Sequence, residues 1–217
     1  MLVKKWMTKD VITVDVHDTI SEAIEALKRN KIRRLPVLEN GKLVGIVTDR
    51  DLKEASPSKV TSLDIWEVHY LLSKIKVKDI YKPDPITISD EATLEQAAIL
   101  MYDNKIGGLP VVDGKGNLVG IITEHDVFEA LIRITGARVP SYRVSMCIDD
   151  KERAIQEVCD ILRDYEHKCI SILNTYYEVR PGKREIIVRF TIAPEHKDEV
   201  IRKFEEKFEN VIVKDEL

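Results

Sequence analysis

The chain has 217 residues, 44% hydrophobic and 33% charged, with a formal net charge of −4 and both signs interspersed. This is the composition of a globular protein with a sizeable core, and it argues against a nucleic-acid partner, which selects a basic face or stripe. No run is apolar and long enough for a signal peptide or a membrane span, so a cytoplasmic protein without a membrane partner is expected.

The chain order is dominated by a repeat. Residues 11–52 match residues 85–127. Thr13 maps onto Thr87, Ile32 onto Ile106 and Pro36 onto Pro110; after one extra residue in the second turn, Gly45 maps onto Gly120 and Asp51 onto Asp126. Each copy starts with a β-prone piece, Ile12–Val14 or Ile86–Ile88, followed by a capping box, Thr19 to Glu22 or Thr93 to Gln96. The helix behind it is apolar at Ile20, Ala23, Ile24 and Leu27, or at Leu94, Ala97, Ala98 and Met101. Two apolar runs follow in each copy, joined by Asn40-Gly41 in the first, a strong hairpin signal, and by the looser turn 113–117 in the second. A last helix starts at Thr48 or Thr123. Each copy is therefore β-α-β-β-α, with a sheet too small to be covered alone.

The expected organisation is repeat 1 at 1–55, a helical insert at 56–76, repeat 2 at 77–135 and a further unit at 141–217. In the insert, Leu63, Trp66 and Tyr70 suggest a short amphipathic helix. Beyond a boundary at Thr135 to Pro140, the pattern predicts strands at 142–148, 169–179 and 185–193. Helices fall around Ala154–Leu162 and after Pro194, and Val211–Val213 forms a closing strand. That order is β-α-β-β-α-β, the split ferredoxin-like arrangement. Cys147, Cys159 and Cys169 are odd in number and show no CxxC spacing, so buried thiols are expected, with neither a disulfide framework nor a zinc site. The five histidines show no metal-ligand spacing.

Two segments, 45–51 and 120–126, place a glycine on a strand and then a threonine and an aspartate three apart at a helix start. One reading is a capping box at each, with Thr48 or Thr123 capping and Asp51 or Asp126 answering. The other is a ligand site. Helix-terminal N–H groups favour a phosphate, a hydroxyl can bond phosphate or sugar, and a carboxylate can accept a ribose diol. Arg50 or His125 would add charge-assisted bonds.

This doubled pattern, Gly-Ile-Val/Ile-Thr-x-x-Asp behind a Leu-Pro-Val strand, resembles the cystathionine-β-synthase (CBS) domain pair, or Bateman module. The insert and the order of domains also resemble acetoin-utilisation B-type (AcuB-like) proteins, which carry a C-terminal ACT-like domain. The fold implied is α+β: a tandem CBS pair followed by a ferredoxin-like, ACT-type domain. The resemblance implies adenosine-type ligands (AMP, ADP or ATP, with NADH or S-adenosylmethionine as alternatives) in clefts between the repeats. Thr48 and Asp51 would serve one cleft, Thr123 and Asp126 the other. Thr13 and Thr87 would flank the adenine, and Arg33, Arg34 and Arg50 would meet phosphate. Arg33-Arg34 becomes Gly107-Gly108 in the second copy, so two unequal clefts are expected, with the arginines on the first-copy side and the glycines opening space in the second. In the ACT family the turn after the first strand commonly bears a glycine. Here it is the charged run 148–152, which favours a dimerisation role for that unit.

The function expected is regulatory. A CBS pair would sense adenosine-nucleotide state by ligand-dependent rearrangement, in a homodimer and with a regulated protein partner as a further candidate. The alternative is a dimerisation scaffold with vestigial clefts. No nucleophile with an oriented base, P-loop or dinucleotide fingerprint is present, so catalysis is not expected.

Overall fold

A computed structural model describes residues 1–56, 70 and 72–216. The chain divides into a compact unit of Met1–Val127 and a second one beginning at Phe128. Of the expected insert helix, Tyr70 and residues 72–74 are helical; Leu63 and Trp66 lie outside the described residues.

In the first unit, repeat 1 runs β1 (Val14–Asp15), α1 (Ile20–Asn30), β2 (Arg34–Glu39), β3 (Lys42–Thr48) and α2 (Asp49–Glu54). Strand β1 lies parallel to β2, and β2 and β3 form an antiparallel hairpin. Its turn residues Asn40 and Gly41 both have positive φ, as the two-residue turn requires. Thr19 and Glu22 close the capping box of α1, while Ile20, Ala23 and Leu27 enter the core beside Leu35, Val37, Val47 and Leu52. Repeat 2 follows the same plan with β5 (Ile88–Ser89), α3 (Leu94–Asn104), β6 (Gly108–Val112) and β7 (Leu118–Thr123). Thr93 and Gln96 cap α3, and Leu94, Ala97 and Met101 are its buried face. Helix α4 (Glu124–Thr135) closes the repeat.

The repeats also exchange their leading segments, which the repeat pattern does not announce. A short strand β4 (Lys82–Pro83), at the head of repeat 2, pairs antiparallel with β3 of repeat 1, Lys82 opposite Ile46 and Pro83 opposite Gly45. In return Thr8 bridges to Ile121 on β7. The backbone bonds are matched residue for residue. Ile20 N–H donates to the Ile75 carbonyl and Leu94 N–H to Met1; Val77 N–H donates to Asp18 and Val3 to Ala92; Lys78 N–H donates to Val16 and Lys4 to Asp90. Every partner pair is related by the repeat offset, so the unit has a pseudo-two-fold axis. Val3 and Val77 are fully buried on opposite sides of it.

The exchange explains the motif glycines. A Cβ on Gly45 would lie 2.6 Å from the Lys82 carbonyl and inside the Tyr81 ring; one on Gly120 would meet Met7, 2.9 Å from its Cγ. Tyr81 and Met7 are themselves repeat equivalents. Gly45 and Gly120 therefore make room for the crossing chain, a packing requirement and not one of ligand chemistry.

The second unit contains β8 (Ser141–Asp149), α5 (Ala154–Leu162), β9 (His167–Thr175), β10 (Lys183–Ile192), α6 (Lys197–Lys207) and β11 (Glu209–Glu216). The β-α-β-β-α-β order expected from the sequence is the one observed. The sheet is antiparallel, in the order β11-β8-β10-β9. Its core holds Tyr142, Val144, Met146, Phe190 and Phe204. The charged turn after β8 is tied down: Asp149 pairs with Lys183 at 2.8 Å and Lys151 with Glu157 at 2.9 Å. The expectation of buried thiols fails. Cys159 and Cys169 are exposed and Cys147 is half-buried, because Cys169 sits on the edge strand β9 and the buried positions of α5 are Ala154, Val158, Ile161 and Leu162.

Deleting residues 1–9 removes the acceptors of the Leu94 and Ile121 amides. In hydrogen exchange these two amides are expected to lose protection, whereas that of Ile20, bonded to Ile75, keeps it. Equal loss at all three would show that the two crossings do not act separately.

Candidate functional site

In both Thr-x-x-Asp motifs the threonine bonds its aspartate, but only the first closes a complete capping box. In the first, the Thr48 hydroxyl donates to Asp51 Oδ2 at 2.5 Å, the Thr48 N–H donates to the same oxygen at 2.9 Å, and Asp51 N–H donates back to the Thr48 hydroxyl at 3.3 Å. In the second, the Thr123 hydroxyl and N–H donate to Asp126 Oδ2, both at 2.7 Å. The capping box is complete at the first site and half-formed at the second, where Asp126 accepts from Thr123 without the return bond, and capping does not by itself separate structure from ligand binding.

The surroundings do separate them. A cavity of about 570 Å³ opens at the second box, and its walls come from both repeats. Repeat 2 contributes Gly107, Ile121, Thr123, Glu124, His125 and Asp126; repeat 1 contributes Lys31, Ile32, Arg33 and Arg34; the leading segment adds Thr8, Asp10, Val11 and Ile12. Arg34 pairs with Thr48 and the Arg33 carbonyl accepts the Asp49 N–H, so both positions adjoin their own repeat's box, and the same two residues also line the cavity at the box of the other copy. The physical reason is the pseudo-two-fold axis: position 34 lies against position 108, its own equivalent.

The contrast between Arg33-Arg34 and Gly107-Gly108 follows from that meeting. A Cβ on Gly108 would collide with the Arg34 guanidinium and lie 2.9 Å from the Ile122 carbonyl; one on Gly107 would lie 2.6 Å from Arg34 Nη2 and 3.0 Å from Glu124 Oε2. The space opened by the glycines is thus already filled by Arg34. Burial lowers the pKa of this guanidinium, the Glu124 and Asp49 carboxylates act in the opposite sense, and Arg33 adds to the lowering. It stays charged all the same.

Of the other expected residues, Thr13 and Thr87 stand half-buried immediately before β1 and β5, and neither lines this cavity. Arg50 is turned to the outer face of α2, 3.0 Å from Glu54. Gly108 is buried behind Arg34. Thr48 and Asp51 lie together at the first box, where a residue missed from the sequence joins them. Lys82 Nζ lies 2.8 Å from Asp51 Oδ1. Burial pushes the Asp51 carboxyl up, but the bonds from Lys82 and Thr48 outweigh it and hold the pKa below the ordinary value. The signal for Lys82 is its equivalence to Thr8, which shows when the repeat offset is extended into the leading segments. Lys31, which ends α1 in a left-handed conformation, was also missed.

Chemically the cavity offers a helix N-terminus and a hydroxyl at Thr123, the Asp126 carboxylate, and cations from Arg33, Arg34 and Lys31, beside apolar Val11, Ile12 and Ile32. Its size falls in the range of about 300–1,000 Å³ usual for small-molecule sites. Among the described residues no cluster of histidine, cysteine and carboxylate could hold a metal ion.

The CBS domain profile matches residues 3–58 and 77–133. A CBS domain-containing protein of Dictyostelium discoideum is 40% identical over 135 residues, which cover 62% of this chain and 93% of that protein. An inosine-5'-monophosphate dehydrogenase of Methanocaldococcus jannaschii is 39% identical over 122 residues, 56% of this chain but only 22% of the dehydrogenase. Among solved structures, CBSX2 of Arabidopsis thaliana in complex with AMP is 34% identical with a TM-score of 0.51, covering 61% of this chain and 97% of that one. The CBS domain pair of protein MJ0100, in complex with 5'-methylthioadenosine and S-adenosyl-L-methionine, is 30% identical with a TM-score of 0.50, covering 60% and 99%. A candidate acetoin utilization protein (AcuB) of Vibrio cholerae is 31% identical with a TM-score of 0.52, covering 64% and 95%.

Gly108→Ala is expected to destabilise the protein by roughly 1–3 kcal/mol through overpacking. In an Arg34→Ala background the loss should shrink to the share owed to the Ile122 carbonyl. Urea unfolding of the two single variants and the double variant measures this coupling; strictly additive losses would show that the guanidinium is not the obstacle.

Proposed function

The chain belongs to the CBS domain family, and from that premise we propose that it is a regulatory protein, not an enzyme, which binds an adenosine-type nucleotide in the composite cavity. The observation that carries this reading is the meeting of Arg33 and Arg34 from one repeat with Thr123, His125 and Asp126 from the other around one cavity. The Thr123 hydroxyl and the first N–H groups of α4 suit a phosphate, with the two guanidinium groups facing it. Asp126 suits the ribose hydroxyls, and Val11, Ile12 and Ile32 offer apolar surface to a base. The AMP complex of CBSX2 and the methylthioadenosine and S-adenosylmethionine complexes of the MJ0100 pair support the adenosine class.

A ligand held in this way touches both repeats at once, so its affinity depends on their relative orientation. That difference in affinity is the size of the signal it can send. The match to a short CBS protein over nearly its whole length, against a small part of the dehydrogenase, supports a binding role without catalysis. The second unit is read as an ACT-type domain that reinforces assembly. The narrower AcuB-like role rests on the insert, the domain order and the likeness of the pair to the Vibrio cholerae protein.

Exposed apolar side chains support a homodimer. Ile99 and Tyr102 stand out from α3 in the first unit, and Phe128, Leu131 and Ile134 stand out from α4 in the second. Sedimentation velocity is expected to show a dimer; a monomer at micromolar concentration would overturn this part.

A thermal-shift series with AMP, ATP, NADH and S-adenosylmethionine tests the ligand class. At a hundredfold excess over Kd a bound ligand adds about 2.7 kcal/mol to the stability of the folded state. Arg34→Ala and Asp126→Asn should each weaken binding roughly 10- to 100-fold, as for a lost charge-assisted bond of about 1.5–3 kcal/mol. If no adenosine compound shifts the melting temperature at millimolar concentration, the scaffold reading stands in its place.

A further inference from the structure

The two motifs share the threonine bonds to aspartate Oδ2 but end differently. At the first, both carboxylate oxygens of Asp51 are engaged: Oδ2 accepts the Thr48 hydroxyl and N–H, and Oδ1 holds the Lys82 ammonium at 2.8 Å. Asp51 is only 8% exposed. A ribose diol reaching this carboxylate has to displace the ammonium from Oδ1; the Lys82 side chain is itself 68% exposed, so the two compete for one oxygen and the lysine acts as a competitor, not as a buried lock.

At the second box the place of Lys82 is taken by Thr8. The correspondence is not only one of numbering, because Lys82 pairs with Ile46 on β3 and Thr8 bridges to Ile121, the equivalent residue on β7. Threonine brings no charge. Asp126 Oδ2 is held by Thr123, and Asp126 Oδ1 has no partner among the described residues. Asp126 also lines the 570 Å³ cavity together with Thr8.

We propose that only one of the two boxes takes a ligand, and that Lys82 is the residue that occupies the other. Its ammonium stands at Asp51 where a ligand's hydroxyl groups would stand, so that the chain takes one adenosine-type ligand, at Asp126. The inference rests on the nucleotide reading above and specifies its stoichiometry. Lys82 is thereby a specificity-determining residue: it acts on site number and leaves the chemistry of the open cavity alone. The cations of the first repeat fit this division, since Arg33 and Arg34 line the cavity at the second box and the first box receives its own cation from the chain that crosses β3.

Isothermal titration of the full chain with AMP tests the idea, using the wild type, Asp126→Asn, Lys82→Thr and Lys82→Met. The last keeps the aliphatic stem and removes only the charge. The wild type is expected to bind one AMP per chain, and Asp126→Asn to lose it. Lys82→Thr, which installs the residue found at position 8, or Lys82→Met should gain a second site, and adding Asp51→Asn to either should abolish that gain. Two sites in the wild type, or one site in both Lys82 variants with their unfolding midpoints unchanged, would overturn the proposal and leave the nucleotide reading standing. No binding by the wild type or by any variant would overturn both.

Discussion

The crossing of the leading segments is the constraint on which the rest of the first unit depends. Strands β3 and β7 would otherwise present unpaired backbone groups at their outer edges. Each edge is covered by residues that precede the other copy's helix, through bonds repeated on both sides of the axis. A repeat of this kind is not complete by itself. The cavity inherits the same property, since its walls are drawn from the leading segment, from the first repeat and from the second. So do Gly45 and Gly120, which are glycines because another chain segment passes over them.

Around that framework the side chains break the symmetry at two places. Arg34 fills the volume that Gly107 and Gly108 leave empty, so a cation from repeat 1 reaches the helix start of repeat 2. Lys82 neutralises Asp51, while its equivalent Thr8 leaves Asp126 unneutralised. Both changes shift positive charge in a defined way. The first box becomes an internally satisfied ion pair, and the second keeps unspent acceptor capacity facing a cavity lined by Lys31, Arg33 and Arg34 together with the carboxylates Asp10 and Glu124. Identical local motifs therefore have different chemistry, because charge arrives from elsewhere in the chain.

Much of the fold was legible in the sequence. The capping boxes at Thr19 and Thr93, the Asn40-Gly41 turn, the buried helix faces and the β-α-β-β-α-β order of the last unit follow from local spacing, and local spacing is what periodicity records. The boxes at Thr48 and Thr123 were legible for the same reason. What escaped was set by contacts distant in sequence. The alignment assigned Arg33 and Arg34 to their own repeat alone, because it carries no information about which strand ends meet across the axis. Lys82 was invisible as a partner of Asp51 because 30 residues, the insert among them, separate the two. The exposure of Cys169 depended on β9 lying at a sheet edge, which is a matter of strand order and not of composition.

Position 34 meets position 108, which is its own counterpart across the pseudo-two-fold axis. Two separate copies of a single repeat, assembled as an isologous pair, would place the same residue on both sides of that axis. Arginine would then face arginine in a space that admits one guanidinium, and glycine facing glycine would leave that space unfilled. Joining the copies in one chain removes the requirement that both sides be equal. An arginine-against-glycine pair is open only to a protein whose halves are encoded separately, so the covalent link between the repeats is what permits a single, polarised pocket.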